Sequence, residues 1–149
     1  FQSSRALGFL SGVALVGALA ACGGGSSSPT PTPTATPDPR TVQADPSFSS
    51  TVQEIFERKG CTNGACHGGS AQAGLNLARG SSYANLVGVR ATQEAIVRVI
   101  PGDPSGSYLV IKLEGRQSVG SRMPQTGTPL DTIDLTNIRN WIAQGAQNN

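Results

Sequence analysis

The sequence predicts an all-α fold, a few short helices joined by long Gly-rich loops. Three observations carry this. Apolar residues recur at helical spacing, no run alternates as a half-buried strand would, and start and stop residues bracket the periodic stretches. The last helix is the clearest, over residues 131–144. Asp131 caps it, Leu135, Ile138, Trp141 and Ile142 form its inner stripe, and Gly145 ends it. The first helix is expected over residues 50–59. Ser50 with Gln53 fits a capping box, Val52, Ile55 and Phe56 share a face with Lys59, and Gly60 stops it. A short helix should follow Ser81-Ser82, carrying Tyr83, Leu86 and Val87. Asp103-Pro104 reads as an N-cap with proline at the first helical position. That helix would hold Tyr108, Leu109, Ile111 and Leu113 and end at Gly115, although Ile111 and Leu113 cannot face inward equally and Val110-Ile111 is strand-prone. The loop over residues 115–129 is long enough to imply a task of its own.

The chain of 149 residues has room for one domain and extra segments. Residues 1–21 read as a secretory leader: Arg5 precedes an apolar run, Ala6 to Ala21, of 16 residues. That is short of the ~20 needed to span a bilayer as a helix. The run ends Leu19-Ala20-Ala21-Cys22, which resembles the lipobox of bacterial lipoproteins, where the Cys thiol takes a diacylglyceryl group. Two acyl chains are what stable anchoring requires. An ordinary signal peptide with an incidental Cys22, or an uncleaved anchor, would be the plainer readings. Gly23, with no Asp after the Cys, favours the outer membrane by resemblance to Gram-negative lipoproteins. Residues 22–45 then form a tether, Gly/Ser-rich and afterwards Pro/Thr-rich, reaching roughly 70 Å at most at about 3.1 Å per residue. The folded domain is expected at residues 46–149, in the periplasm or outside the cell.

With 11 Lys and Arg against 9 Asp and Glu, the net charge is only +2, which gives no footprint for nucleic acid. The domain's aromatics are Phe48, Phe56, Tyr83, Tyr108 and Trp141 alone. Such a core is thin for its length. A bulky apolar cofactor would fill it, and a small loop-rich fold closed by a disulfide would manage without.

With Cys22 assigned to lipid, Cys61 and Cys66 remain. The run Cys61-Thr62-Asn63-Gly64-Ala65-Cys66-His67 ends in the Cys-His pattern of c-type haem attachment. Each thiol adds across a haem vinyl group to form a thioether, and the adjacent His67 is confined to the proximal side of the iron. Four residues separate the cysteines where two are commonest. Asn63-Gly64 is a turn-forming pair whose tolerance of positive φ would take up the extra length. His67 is the only His and Met123 the only Met. In a six-coordinate haem the thioether of Met123 is therefore the partner of His67. Met123 stands in Ser121-Arg122-Met123-Pro124 within the long loop, and the plain alternative for it is core filling.

These stretches, with Gly74-Leu75-Asn76-Leu77, Ser82-Tyr83-Ala84-Asn85-Leu86-Val87, Val99-Ile100-Pro101-Gly102-Asp103-Pro104, Ser107-Tyr108-Leu109, Lys112-Leu113, Arg122-Met123-Pro124 and Ile138 through Ala146, resemble the single-haem cytochrome c domains of bacterial surface lipoproteins, in a Cys-x4-Cys-His variant. The resemblance covers nearly all of residues 46–149. It implies a small class I cytochrome c-like fold with one covalent haem c in a central crevice. It gives Cys61 and Cys66 the thioethers, and His67 and Met123 the iron. It also implies that Trp141 packs the last helix on the first.

The function expected is single-electron transfer between redox protein partners, with no catalysis. No second His, no serine elbow and no apolar carboxylate pair is present, and Glu54 and Glu57 have solvated spacing. Three other readings stay open. A Cys61–Cys66 disulfide would make a haem-free binding module. Zinc on Cys61, Cys66 and His67 would need a fourth ligand. A peroxidase-like haem protein would follow if Met123 leaves the iron open. Arg122 is a candidate partner of a haem propionate, or a solvated surface residue.

Overall fold

The computed structural model describes residues 40–149. The leader over residues 1–21, Cys22 and the tether as far as residue 39 lie outside the described residues. The described chain is helix-rich, and strand pairing is limited there to three isolated bridges: Val87 with Val99, Arg90 with Val97 and Ile100 with Asp103. None of the described helices is long and apolar enough to cross a membrane.

The first helix opens as a π-helical turn, Phe48–Val52, and continues as α1, Gln53–Arg58. It begins earlier than expected because Ser47, not Ser50, is the cap: the Ser47 hydroxyl accepts the Ser50 N–H at 3.3 Å. Gln53, expected to reach back to the cap, is instead 1% exposed and bonded inward. Its amide donates to the Leu77 carbonyl at 3.1 Å and its carbonyl oxygen accepts the Ser82 hydroxyl. α2, Ser82–Leu86, follows Ser81 as expected, with Val87 just past its end.

α3 is Tyr108–Glu114 and starts later than its sequence signal. Asp103 does not cap it. Its carboxylate takes the Gly106 N–H at 2.9 Å, closing a local turn over residues 103–106. Ser107 then stands at the N-cap, its hydroxyl donating to Asp103 O at 2.7 Å and taking the Ile100 N–H at 2.9 Å. Val110 and Leu113 turn fully inward while Ile111 is only partly covered. Gly115, at φ 78, ends the helix.

α4, Thr132–Ala143, has the cap and stripe its sequence announces. Asp131 accepts the Asp134 N–H at 2.9 Å, and Ile138, Trp141 and Ile142 are buried, with Leu135 packed at the edge. Trp141 meets Phe48 at 5.1 Å between ring centroids and Tyr83 at 6.5 Å, so the last helix packs on the first. Contacts with the domain reach back to Arg40. The Gln43 N–H donates to Asn137 at 2.7 Å, and Asn137 returns a bond to Thr41 O at 3.0 Å.

Buried Asp134 ties three segments together. It is 1% exposed and pairs with Arg58 at 2.7 Å, Arg40 at 2.9 Å and Lys59 at 3.5 Å. This joins the segment entering the domain, the end of α1 and the first turn of α4, where a carboxylate also suits the helix dipole.

Candidate functional site

The segment after α1 folds into a tight knot. Gly60, at φ 71, turns the chain, and the Cys61 N–H reaches back to Phe56 O at 2.8 Å. The Asn63 carbonyl accepts two N–H groups, from Cys66 at 2.8 Å and Gly68 at 3.1 Å, and the His67 N–H closes onto Cys61 O at 3.0 Å. The extra length between the cysteines is thus gathered around one carbonyl. Positive φ at Asn63 and Gly64, the expected device, is not used. The residue that the knot demands is Gly68. A Cβ there would stand 2.2 Å from Thr62 O and 2.9 Å from Asn63 O.

His67 is anchored on both sides. Its carbonyl takes the Leu77 N–H at 2.6 Å, and Leu77 is held in turn by Gln53. Its Nδ1 lies 3.0 Å from Gln72 O. A carbonyl oxygen only accepts, so Nδ1 carries the proton and the lone pair is on Nε2. Burial lowers the imidazole pKa below its ordinary value, helped by Arg98 and Lys112, against the opposing pull of the Gln72 and Leu75 carbonyls. The neutral ring is favoured, the form that ligates a metal.

Cys61 and Cys66 are free thiols, both partly buried, and do not form the disulfide of the alternative reading. Burial pushes the Cys61 thiol up to about 11, so it stays protonated at neutral pH. No three His, Cys, Asp or Glu side chains among the described residues gather as a metal site, so the zinc arrangement is not formed there.

These groups open into a cavity of about 610 Å³, the size of a cofactor site. Cys61, Cys66, His67 and Met123 all line it, which brings the four sequence-predicted residues together. Its apolar wall comes from Phe56, Leu75, Leu77, Leu86, Leu109 and Leu113. The thin core therefore borders a large space instead of closing on itself. Met123 packs against the core edge, and its N–H donates to Lys112 O at 2.9 Å. The cavity also takes in Gly120, Ser121, Pro124, Gln125 and Thr126, which accounts for the length of that loop.

Three cations, Lys59, Arg98 and Lys112, line the cavity, and no carboxylate does. Arg122 is not among the lining residues. Its guanidinium donates to Leu113 O at 2.9 Å across the end of α3, and the side chain is exposed, in line with the second of its two readings, a surface residue. Sequence reasoning missed Arg98 and Lys112. Both look like solvated charges along the chain, yet they are 6% and 9% exposed.

Comparison with protein-family models, curated proteins and solved structures finds no match to this chain.

Proposed function

We propose that the domain is a monohaem c-type cytochrome that passes single electrons between redox partners. The observation that carries this reading is the convergence of both thiols, the Nε2-poised imidazole of His67 and the thioether of Met123 on one cavity. The lining fits haem c chemically. Two thiols are available for two vinyl groups, apolar side chains suit the porphyrin faces, and no carboxylate among the lining residues opposes its two acidic substituents.

When bound, the haem supplies one-electron redox chemistry at its iron. Cys61 and Cys66 hold it through thioethers. His67 would give the iron its Nε2, with Nδ1–H kept on the Gln72 carbonyl. That hydrogen bond fixes the ring's orientation and raises its basicity as a ligand. Met123 would give its sulfur from the long loop as a second ligand, which favours a carrier over an oxygen-activating enzyme. The apolar part of the wall, with His/Met ligation, would favour the reduced state. Cys22, after the apolar run, is the proposed lipid site that tethers the domain to a bacterial membrane, with the outer membrane favoured. The tether would raise the local concentration of redox partners there.

The test is expression in a host that matures c-type cytochromes, followed by a haem stain on a denaturing gel. The band should stain after boiling, and Cys61→Ser with Cys66→Ser should abolish the stain. An unstained wild-type band refutes the proposal. Met123→Ala should keep the stain, shift the absorption spectrum and lower the potential. An unchanged spectrum removes Met123 as a ligand.

A further inference from the structure

Arg98 and Lys112 are both buried, both line the cavity, and neither has a carboxylate partner among the described ion pairs. A buried charge without an opposite charge is costly unless its donors are satisfied. Both satisfy them on backbone carbonyls, and the choice of carbonyls is specific.

Arg98 Nη2 donates to Ala73 O at 3.2 Å and Gly74 O at 3.1 Å, and Nη1 donates to Asn85 O at 2.9 Å. The carbonyl just before these, Gln72 O, is the one that receives His67 Nδ1–H. This turn, Gln72–Gly74, is strained. Ala71 and Ala73 hold φ of 43° and 55°, where alanine is disfavoured. Such backbone persists only when its surroundings over-determine it. Arg98 supplies that, helped by the Thr92 hydroxyl on Ala73 O at 2.8 Å.

Lys112 does the same on the other side. Its Nζ donates to Val119 O at 3.1 Å and Ser121 O at 2.9 Å, and its own carbonyl takes the Met123 N–H. Gly120, at φ 72, lets the chain wrap the ammonium so that both flanking carbonyls face it. A Cβ on Gly120 would stand 3.2 Å from Nζ. The Tyr108 ring, 5.7 Å away, backs the ammonium, while the Glu94 carboxylate is occupied by the Tyr108 hydroxyl and the Val119 N–H.

We propose that Arg98 and Lys112 are positioning residues that divide the work between the two axial loops: Arg98 fixes the turn that orients His67, and Lys112 fixes the loop that presents Met123. The inference rests on the haem reading above. It adds that two isolated buried cations, acting through backbone carbonyls, set the ligation on each side separately.

The test uses the holoprotein and four variants, Lys112→Met, Lys112→Arg, Arg98→Gln and Arg98→Lys. Three readouts are followed: the sulfur-to-iron charge-transfer absorption of the ferric form, carbon monoxide binding by the ferrous form, and solvent exchange of the His67 Nδ1 proton by NMR. Lys112→Met should lose the sulfur-to-iron absorption and raise carbon monoxide affinity about tenfold or more, the effect of losing a charge-assisted hydrogen bond. Its His67 proton should exchange at the wild-type rate. Lys112→Arg should recover most of the absorption. Arg98→Gln should do the reverse, with the absorption kept and proton exchange faster by about tenfold. Arg98→Lys should recover part of that protection. If Lys112→Met yields no folded holoprotein, Lys112→Gln is read in its place; if Arg98→Gln does not fold, Arg98→Lys should show the faster exchange. Unchanged readouts, or equal changes on both sides in every variant, overturn the inference. A wild-type protein that takes no haem stain overturns the haem reading instead.

Discussion

Gly68→Ala is the sharpest probe of the attachment knot. The new Cβ would stand 2.2 Å from Thr62 O, 2.9 Å from Asn63 O and 3.0 Å from the Asn63 carbonyl carbon, against an ordinary contact of 3.4–4 Å. All three are backbone atoms, so no rotamer change relieves the clash. The Thr62 peptide must retreat by more than an ångström. That strains the bonds Asn63 O makes to the Cys66 and Gly68 N–H groups and the bond from His67 to Cys61 O. Overpacking costs about 1–3 kcal/mol, and each hydrogen bond lost costs about 0.5–1.5 kcal/mol net. The expected loss is about 2–4 kcal/mol, roughly 10–20 °C in melting temperature for a domain this size. The same movement displaces both thiols, so the yield of covalently haem-stained protein should fall in parallel. Gly69→Ala is the control. A Cβ there meets nothing within 4 Å, and the change should stay within about 0.5 kcal/mol. Thermal melting and gel haem staining of the two variants side by side decide the matter. Equal behaviour of Gly68→Ala and Gly69→Ala refutes the knot as described.

Asp134→Asn should destabilise the domain by about 2–3 kcal/mol in chemical denaturation, less than the ~3–5 kcal/mol of a fully buried pair. The reduction reflects its cations, whose side chains are 30% exposed at Arg40, 31% at Arg58 and 18% at Lys59. Asp131→Ala should cost about 0.5–2 kcal/mol near neutral pH as a lost helix cap. The acid dependence follows from the Asp134 N–H and, secondarily, Arg40, which together hold the Asp131 carboxyl below its ordinary 3.8 despite burial. A folded value below the unfolded one stabilises above pH 3.8 and fades as pH falls through the lowered value. Wild type and Asp131→Asn should therefore differ most near pH 7 and converge below pH 3.8, checked by denaturation midpoints across that range. A gap that widens in acid contradicts the assignment.

What the sequence revealed, it revealed through local patterns. The cap at Asp131 and the spacing of Ile138, Trp141 and Ile142 placed α4 because its period and its burial agree. Cys-His adjacency named one wall of the cavity and the only Met named another. The errors arose where a side chain had two partners of similar appeal. Asp103 closes its own turn with Gly106 instead of starting α3, and Ser47 takes the cap from Ser50 because a π-helical turn, Phe48–Val52, precedes α1. Arg122 and Arg98 look alike in sequence. Only the fold shows that the first bridges to the end of α3 and the second is enclosed behind the His67 turn. Gly68 carried a faint signal, a glycine pair directly after Cys-His, whereas nothing local announced that Lys112 and Asp134 would be buried.

The central claim is most directly tested by the intact mass of the denatured protein after treatment with a thiol alkylator, expressed with c-type cytochrome maturation. The account predicts the mature polypeptide with its lipid on Cys22 plus one haem, with Cys61 and Cys66 both unmodified because each sulfur already carries a second carbon in place of its hydrogen. A chain without haem mass that takes an alkyl group on both cysteines would contradict it.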